Sequence, residues 1–168
     1  MRHATIVSTA IGDLLVIAEH EAIVRITWAD PGAKQTPMNA EHPLLAKAER
    51  QLTAYGTGDL KTFDLPVAAG GSPHQQAVWH QMTLIPYGET WTYGELAARI
   101  GSNARAVGQA CGANPVPIVV PCHRVMGQSG RLTGFSGGRG VETKALLLDL
   151  ERRHKPRDDS DLPLFAAQ

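Results

Sequence analysis

The sequence predicts an α/β protein of the α+β kind, strand-rich in its first part and helical in its second. Three observations carry this reading. Short alternating apolar runs fill residues 5–26, and from residue 42 onward apolar side chains recur at three- and four-residue steps, later behind two capping boxes. Between the two styles lies Pro66-Val67-Ala68-Ala69-Gly70-Gly71, a linker composition. The expected division is a strand-rich domain with linker over 1–71, a second domain over 72–155 and a tail over 156–168.

In the first part, Thr5-Ile6-Val7, Leu14-Leu15-Val16-Ile17 and Ile23-Val24-Arg25-Ile26 read as an antiparallel meander, with Ile11-Gly12-Asp13 as the first turn. Leu44, Leu45, Ala48, Leu52 and Tyr55 then follow helical spacing, and residues 60–65 read as one more strand. This half carries no metal or phosphate motif and reads as a scaffold.

The second part is punctuated more sharply. Ser72-Pro73-His74-Gln75 is a capping box with proline at the first helical position, followed by Val78, Trp79, Met82 and Ile85 on one face. Pro86-Tyr87-Gly88-Glu89 makes a turn. Thr92-Tyr93-Gly94-Glu95 then opens a helix holding Leu96, Ala97 and Ile100, which Gly101 ends. Ser102 or Asn103 caps a third helix running to about Cys111, and the pair reads as helix-turn-helix. Residues 117–120 read as a buried strand, because Ile118, Val119 and Val120 are β-branched and Pro121 stops the ladder. Residues 125–135, with Gly127, Ser129, Gly130 and Gly134, read as a wing-like hairpin. A closing helix from about Glu142 carries Ala145, Leu146, Leu148 and Leu150, and ends on Arg152, Arg153 and His154, which complement its dipole. The second part is thus a winged helix-turn-helix.

Composition bounds the function. Lys plus Arg equal Asp plus Glu at 16 each in 168 residues, so net charge implies neither a nucleic-acid nor a membrane partner. Two cysteines make no disulfide framework and point to a reducing compartment. The first apolar run is broken by Asp13, which excludes a signal peptide, and nothing is long enough to span a bilayer, so a cytoplasmic location is expected. The balance conceals an asymmetry: between Glu95 and Glu142 there is no carboxylate, while Arg99, Arg105, Arg124, Arg131 and Arg139 all fall there. Such a block is a candidate surface for an anionic ligand, or else a solvated face.

Within that block Cys122 stands between Pro121 and His123. It reads as a packing residue, a metal ligand or a nucleophile. A zinc site would need Cys111, Cys122, His123 and a fourth ligand without any Cys-x-x-Cys pair, so no metal is expected. The third helix offers few groups that bond base edges: Ala104, Arg105, Ala106, Val107, Gly108 and Gln109. Small residues there suit either tight helix packing or close approach to a minor groove, with Arg105 filling the place of an extruded base.

NPVPIVVPCHRV, preceded by NARAVGQA and IPYGETWTYGELA and followed by GFSGGRGVETKALLLDLE, closely resembles the O6-alkylguanine-DNA alkyltransferases, also called methylated-DNA–protein-cysteine methyltransferases. The resemblance covers about residues 72–151; the first half matches in size and strand-rich pattern alone. It implies a ribonuclease-H-like scaffold domain followed by a winged helix that binds double-stranded DNA containing O6-alkylguanine through the minor groove, with base flipping. It further implies irreversible, single-turnover transfer of the alkyl group to Cys122, with O4-methylthymine as a further candidate substrate. His123 would act through a bound water as base, and Glu151 would orient its ring. Asn114 would be a hinge, and Tyr93 would give a proton to the departing guanine. Arg105, between Ala104 and Ala106, would be the finger, while Ser136 and the Val125 backbone would hold the base. No cofactor is expected, and the protein is expected to act as a monomer. The competing class is a winged-helix DNA-binding protein or alkylated-base sensor without chemistry, against which Cys122 argues.

Overall fold

The computed structural model describes residues 1–31 and 41–157, so most of the expected tail lies outside the described residues. Strands β1 (Arg2–Thr9), β2 (Gly12–Glu19) and β3 (Ala22–Trp28) form the antiparallel meander, with Val7 opposite Leu14 and Val16 opposite Ile26. Alternation turns Val7, Leu14, Val16 and Ala18 to the buried side, and a register shift opposite Ile17 and Ala18 lets both Ile23 and Ile26 of β3 join them. Helix α1 (Pro43–Gly56) packs on β1 and β2 through Leu45, Ala48, Leu52 and Tyr55. His42 caps it, Nδ1 accepting the Leu44 N–H at 3.2 Å.

The expected strand over residues 60–65 does not form. The Gln51 side chain takes both backbone groups of Asp64, donating to its carbonyl at 3.2 Å and accepting its N–H at 2.9 Å. A side chain has supplied what a ladder would have supplied, and pairing is confined to a bridge between Val67 and Ile23.

In the second half, α2 (Pro73–Thr83) and α3 (Tyr93–Ile100) both start on complete capping boxes. Gly101 ends α3 at φ 64, a left-handed value that glycine adopts without cost, and Asn103 caps α4 (Ala104–Gly112). Helices α2, α3 and α4 pack together, and Trp79 donates from α2 to the Ala110 carbonyl at 2.8 Å.

Residues 117–120 are a tight turn and not the expected strand. Asn114 clamps this turn: its Oδ1 accepts the Val116 N–H at 3.0 Å and its Nδ2 donates to the Val120 carbonyl at 2.9 Å. Pro115, Pro117 and Pro121 have no N–H for a ladder. Ile118 is buried with φ 75, a strained value for a β-branched residue. Burial and the clamp outweigh β propensity here.

The wing also differs in detail. Strand β4 (Trp91–Thr92) pairs in parallel with β5 (Val125–Met126), and residues 127–135 form a loop without an antiparallel partner. Lys144 ties this loop instead, donating to the carbonyls of Val125 at 2.5 Å and Thr133 at 2.8 Å. Helix α5 (Val141–His154) buries Thr143, Lys144, Leu147, Leu150 and Glu151, whereas Leu146 is exposed. Its inward face therefore carries two charges. No helix among the described residues is long and apolar enough to cross a membrane.

Candidate active site

One 3₁₀ turn, Cys122–Arg124, presents three consecutive side chains in different directions. Cys122 lies on the wall of a cleft of about 1010 Å³, shared by Asn114, Phe135 and Ser136 with Trp28 of β3. His123 and Arg124 are buried against Glu151 of α5.

Glu151 is the hub. Its Oε1 lies 2.7 Å from His123 Nε2 and accepts from Tyr55 Oη at 2.8 Å. Arg124 forks across it, Nε donating to Oε2 and Nη2 to Oε1, both at 2.9 Å, while the Gly88 N–H reaches Oε2 at 3.1 Å. The remaining Arg124 nitrogen, Nη1, donates to the Ile85 carbonyl at 2.7 Å. Burial alone would raise the Glu151 carboxyl, but the bonds from His123 and Arg124 hold it well below the ordinary carboxylate range.

That carboxylate assigns the His123 proton. Nε2 faces an acceptor and carries the hydrogen, and Nδ1 is buried with no hydrogen-bond partner among the described residues. Burial lowers the His123 pKa against the pull of Glu151, with the Arg124 charge acting in the same direction as burial. The ring is therefore neutral near pH 7, with a lone pair on Nδ1.

The two thiols differ. Cys111 lies in α4 against the Met82 sulfur at 3.6 Å, and its pKa is pushed up to about 12 by burial. Burial also raises Cys122, but the Asn114 side chain and the Lys144 charge oppose this. Lys144 is itself lowered by burial and raised by the two thiols. Among the described residues no three His, Cys, Asp or Glu side chains could hold a metal.

The other sequence-derived residues scatter around this centre. Tyr93, half-buried, is off the cleft wall and donates to the Thr133 carbonyl at 3.1 Å. A side chain on Gly134 would come within 3.1 Å of that hydroxyl. Val125 is buried, its carbonyl taken by Lys144 and its N–H by the Cys122 carbonyl. Arg105 and Ala104 are exposed at the start of α4, Ala106 is half-buried, and Arg105 makes no ion pair with a described residue.

Arg124 is a correction to the sequence reading, which placed it among surface arginines; it is buried on Glu151. The sequence places Tyr55 on a helical stripe and Gly88 in a turn but gives no site role to either, nor to Lys144. Charges in an apolar helix, Lys144 and Glu151, were a usable signal. Nothing local marks the Tyr55 hydroxyl, which sits on a regular apolar stripe.

Fold and site together define a helix-turn-helix protein that holds a cysteine beside a buried His–Glu pair at a cleft. Residues 73–153 match the DNA binding domain of 6-O-methylguanine DNA methyltransferase, and residues 1–69 match that family's ribonuclease-like domain. The constitutive methylated-DNA–protein-cysteine methyltransferase of Bacillus subtilis (strain 168) is 44% identical over 162 residues, covering 90% of this chain and 96% of that one. The Mycolicibacterium paratuberculosis (strain ATCC BAA-968 / K-10) methylated-DNA–protein-cysteine methyltransferase is 54% identical over 122 residues, 71% of each chain. The crystal structure of Mycobacterium tuberculosis O6-methylguanine methyltransferase superposes with a TM-score of 0.78 at 39% identity, covering 94% of this chain and 97% of that one. The same organism's OGT in complex with DNA gives 0.78 at 40% identity, covering 90% and 93%. The chain belongs to the 6-O-methylguanine DNA methyltransferase family.

Proposed function

We propose that the protein repairs alkylated duplex DNA by moving the methyl (alkyl) group from the O6 of an extruded guanine to Cys122, once per molecule. The observation that carries this is the pairing of a cleft-wall thiol with a buried imidazole whose Nε2 is held by Glu151 and whose Nδ1 is left to accept a proton. Through a bridging water, Nδ1 takes the Cys122 proton. The thiolate attacks the methyl carbon, the carbon–O6 bond breaks, and its electron pair passes to the guanine. We assign Tyr93, whose hydroxyl lies next to the cleft residue Gly134, as the donor that protonates the departing base once that hydroxyl turns from the Thr133 carbonyl. Asn114 fixes the turn that carries the thiol, and Ser136 holds the base together with the second lone pair of the Val125 carbonyl, the first being taken by Lys144. Ala104 and Ala106 let α4 approach the minor groove, and Arg105 fills the vacated stack. Residues 1–71 serve as scaffold, and the protein works as a monomer in the cytoplasm, where its two cysteines, both free in the fold, stay reduced.

Arg105→Ala tests the finger. On methylated duplex the loss should be comparable with unstacking a base, about a few kcal/mol, while transfer from free O6-benzylguanine should change little. Equal losses on both substrates would assign Arg105 to the chemistry or the fold.

Salt tests the surface. With Arg124 buried, the exposed arginines of the acid-free block are Arg99, Arg105, Arg131 and Arg139. If each contacts one phosphate, the logarithm of affinity should fall against the logarithm of salt with a slope of roughly −3 to −4, on any sequence. A slope near zero, or strong preference for one unmethylated sequence, would favour a sequence-reading regulator.

A further inference from the structure

We propose that Tyr55, on α1 of the strand-rich half, is a positioning residue for the transfer: its hydroxyl, donating to Glu151 beside His123, sets the pH at which His123 can accept a proton. The proposal rests on the reading of Cys122, His123 and Glu151 given above.

Tyr55 is the last side chain of the buried α1 stripe that begins at Leu45, followed only by Gly56, and is fully enclosed. Its Oη is 2.8 Å from Glu151 Oε1 and 3.3 Å from His123 Nε2, so hydroxyl and imidazole share one carboxylate oxygen. The ring packs near His123 and also meets Phe63 and Tyr87. Packing explains the ring and leaves the hydroxyl unexplained.

The charged and titratable groups facing His123 come from every element around it. They are Tyr55 from α1, Glu151 and Lys144 from α5, Cys122 and Arg124 from its own turn, with Tyr87 of the turn before β4 in the same field. Burial, and next the Glu151 charge, hold the Tyr55 hydroxyl protonated far above neutral pH. It is a fixed neutral donor. Each donor on Glu151 draws carboxylate charge away from the imidazole, so removing one strengthens the hold of Glu151 on the imidazolium form. His123 then stays protonated, and unable to accept, up to a higher pH.

The test is the single-turnover rate constant against pH with free O6-benzylguanine, which needs no DNA binding. In Tyr55→Phe the acid limb should move up by a fraction of a pH unit, about one unit at most, because the bond is made in both states of His123 and only its difference between them counts. Below the limb, transfer should slow by up to about tenfold, with burst size unchanged and the alkaline plateau altered little. Placing 3-fluorotyrosine at position 55 makes a stronger donor of nearly equal size and should move the limb down. If Tyr55→Phe does not fold, that shift alone decides. A limb unmoved in the variant that folds overturns the proposal, whatever happens to stability. An unaltered protein with no acid limb, or with the label elsewhere than Cys122, overturns the underlying site reading and this proposal with it.

Discussion

Arg124→Ala should destabilise the protein by about 3–5 kcal/mol, because it leaves a buried carboxylate without its main partner. Glu151 is fully buried, and Arg124 gives it a two-bond fork that no other group can replace. Arg124→Lys should recover only part of the loss, since an ammonium cannot fork across both oxygens. In the unaltered protein Glu151 is depressed, so its contribution is complete above the ordinary carboxylate range and is lost only in strong acid. In Arg124→Ala either Glu151 or His123 takes up a proton on folding, so the deficit should shrink between pH 8 and pH 5. Urea unfolding at both values checks this, with the midpoint moving and the m-value constant. A deficit below about 1 kcal/mol would place the pair in the class of solvent-screened bridges.

His123→Ala should slow methyl transfer by about 10²–10⁴-fold, the usual worth of a positioned base, without shrinking the burst. His123 governs proton removal, whereas the number of acceptors is fixed by Cys122. Because burial lowers the His123 pKa, transfer in the unaltered protein should be flat near neutrality. It should fall only below the ordinary histidine value of about 6.5. The same lowering makes the fold less stable as pH drops through that window, since the unfolded chain binds the proton first. Quenched-flow transfer from methylated duplex, read as rate and amplitude separately, distinguishes a slower burst from a smaller one.

Local signals wrote much of this protein legibly. Both capping boxes, the meander and the Asn103 cap follow from residues adjacent in sequence, where capping and alternation are strong. Cys122 stood out because Pro121 and His123 flank it. The segment before it is a turn and not a strand because β-branched residues imply a strand only when their backbone groups are available. Asn114 and the prolines had already claimed those groups. Apolar spacing in the closing helix points to Leu146 and Leu148, whereas the structure buries Leu147. Apolar spacing alone cannot centre a face that also buries Lys144 and Glu151. Tyr55 lies 68 residues from His123 and 96 from Glu151, and only the packing of α1 against the second half unites them.

The central claim is that Cys122 is consumed by one transfer. Sulfur attack on a methyl carbon makes a thioether, which has no acidic proton and no good leaving group, so neither His123 nor water restores the thiol. The decisive measurement is intact-protein mass with peptide mapping after incubation with excess O6-methylguanine duplex. The account predicts a gain of one methyl group per molecule, located on Cys122, then no further reaction. Cys122→Ala should gain none while still binding DNA, and Cys111→Ala should behave as the unaltered protein. Repeated turnover, or a methyl group on Cys111, would contradict it.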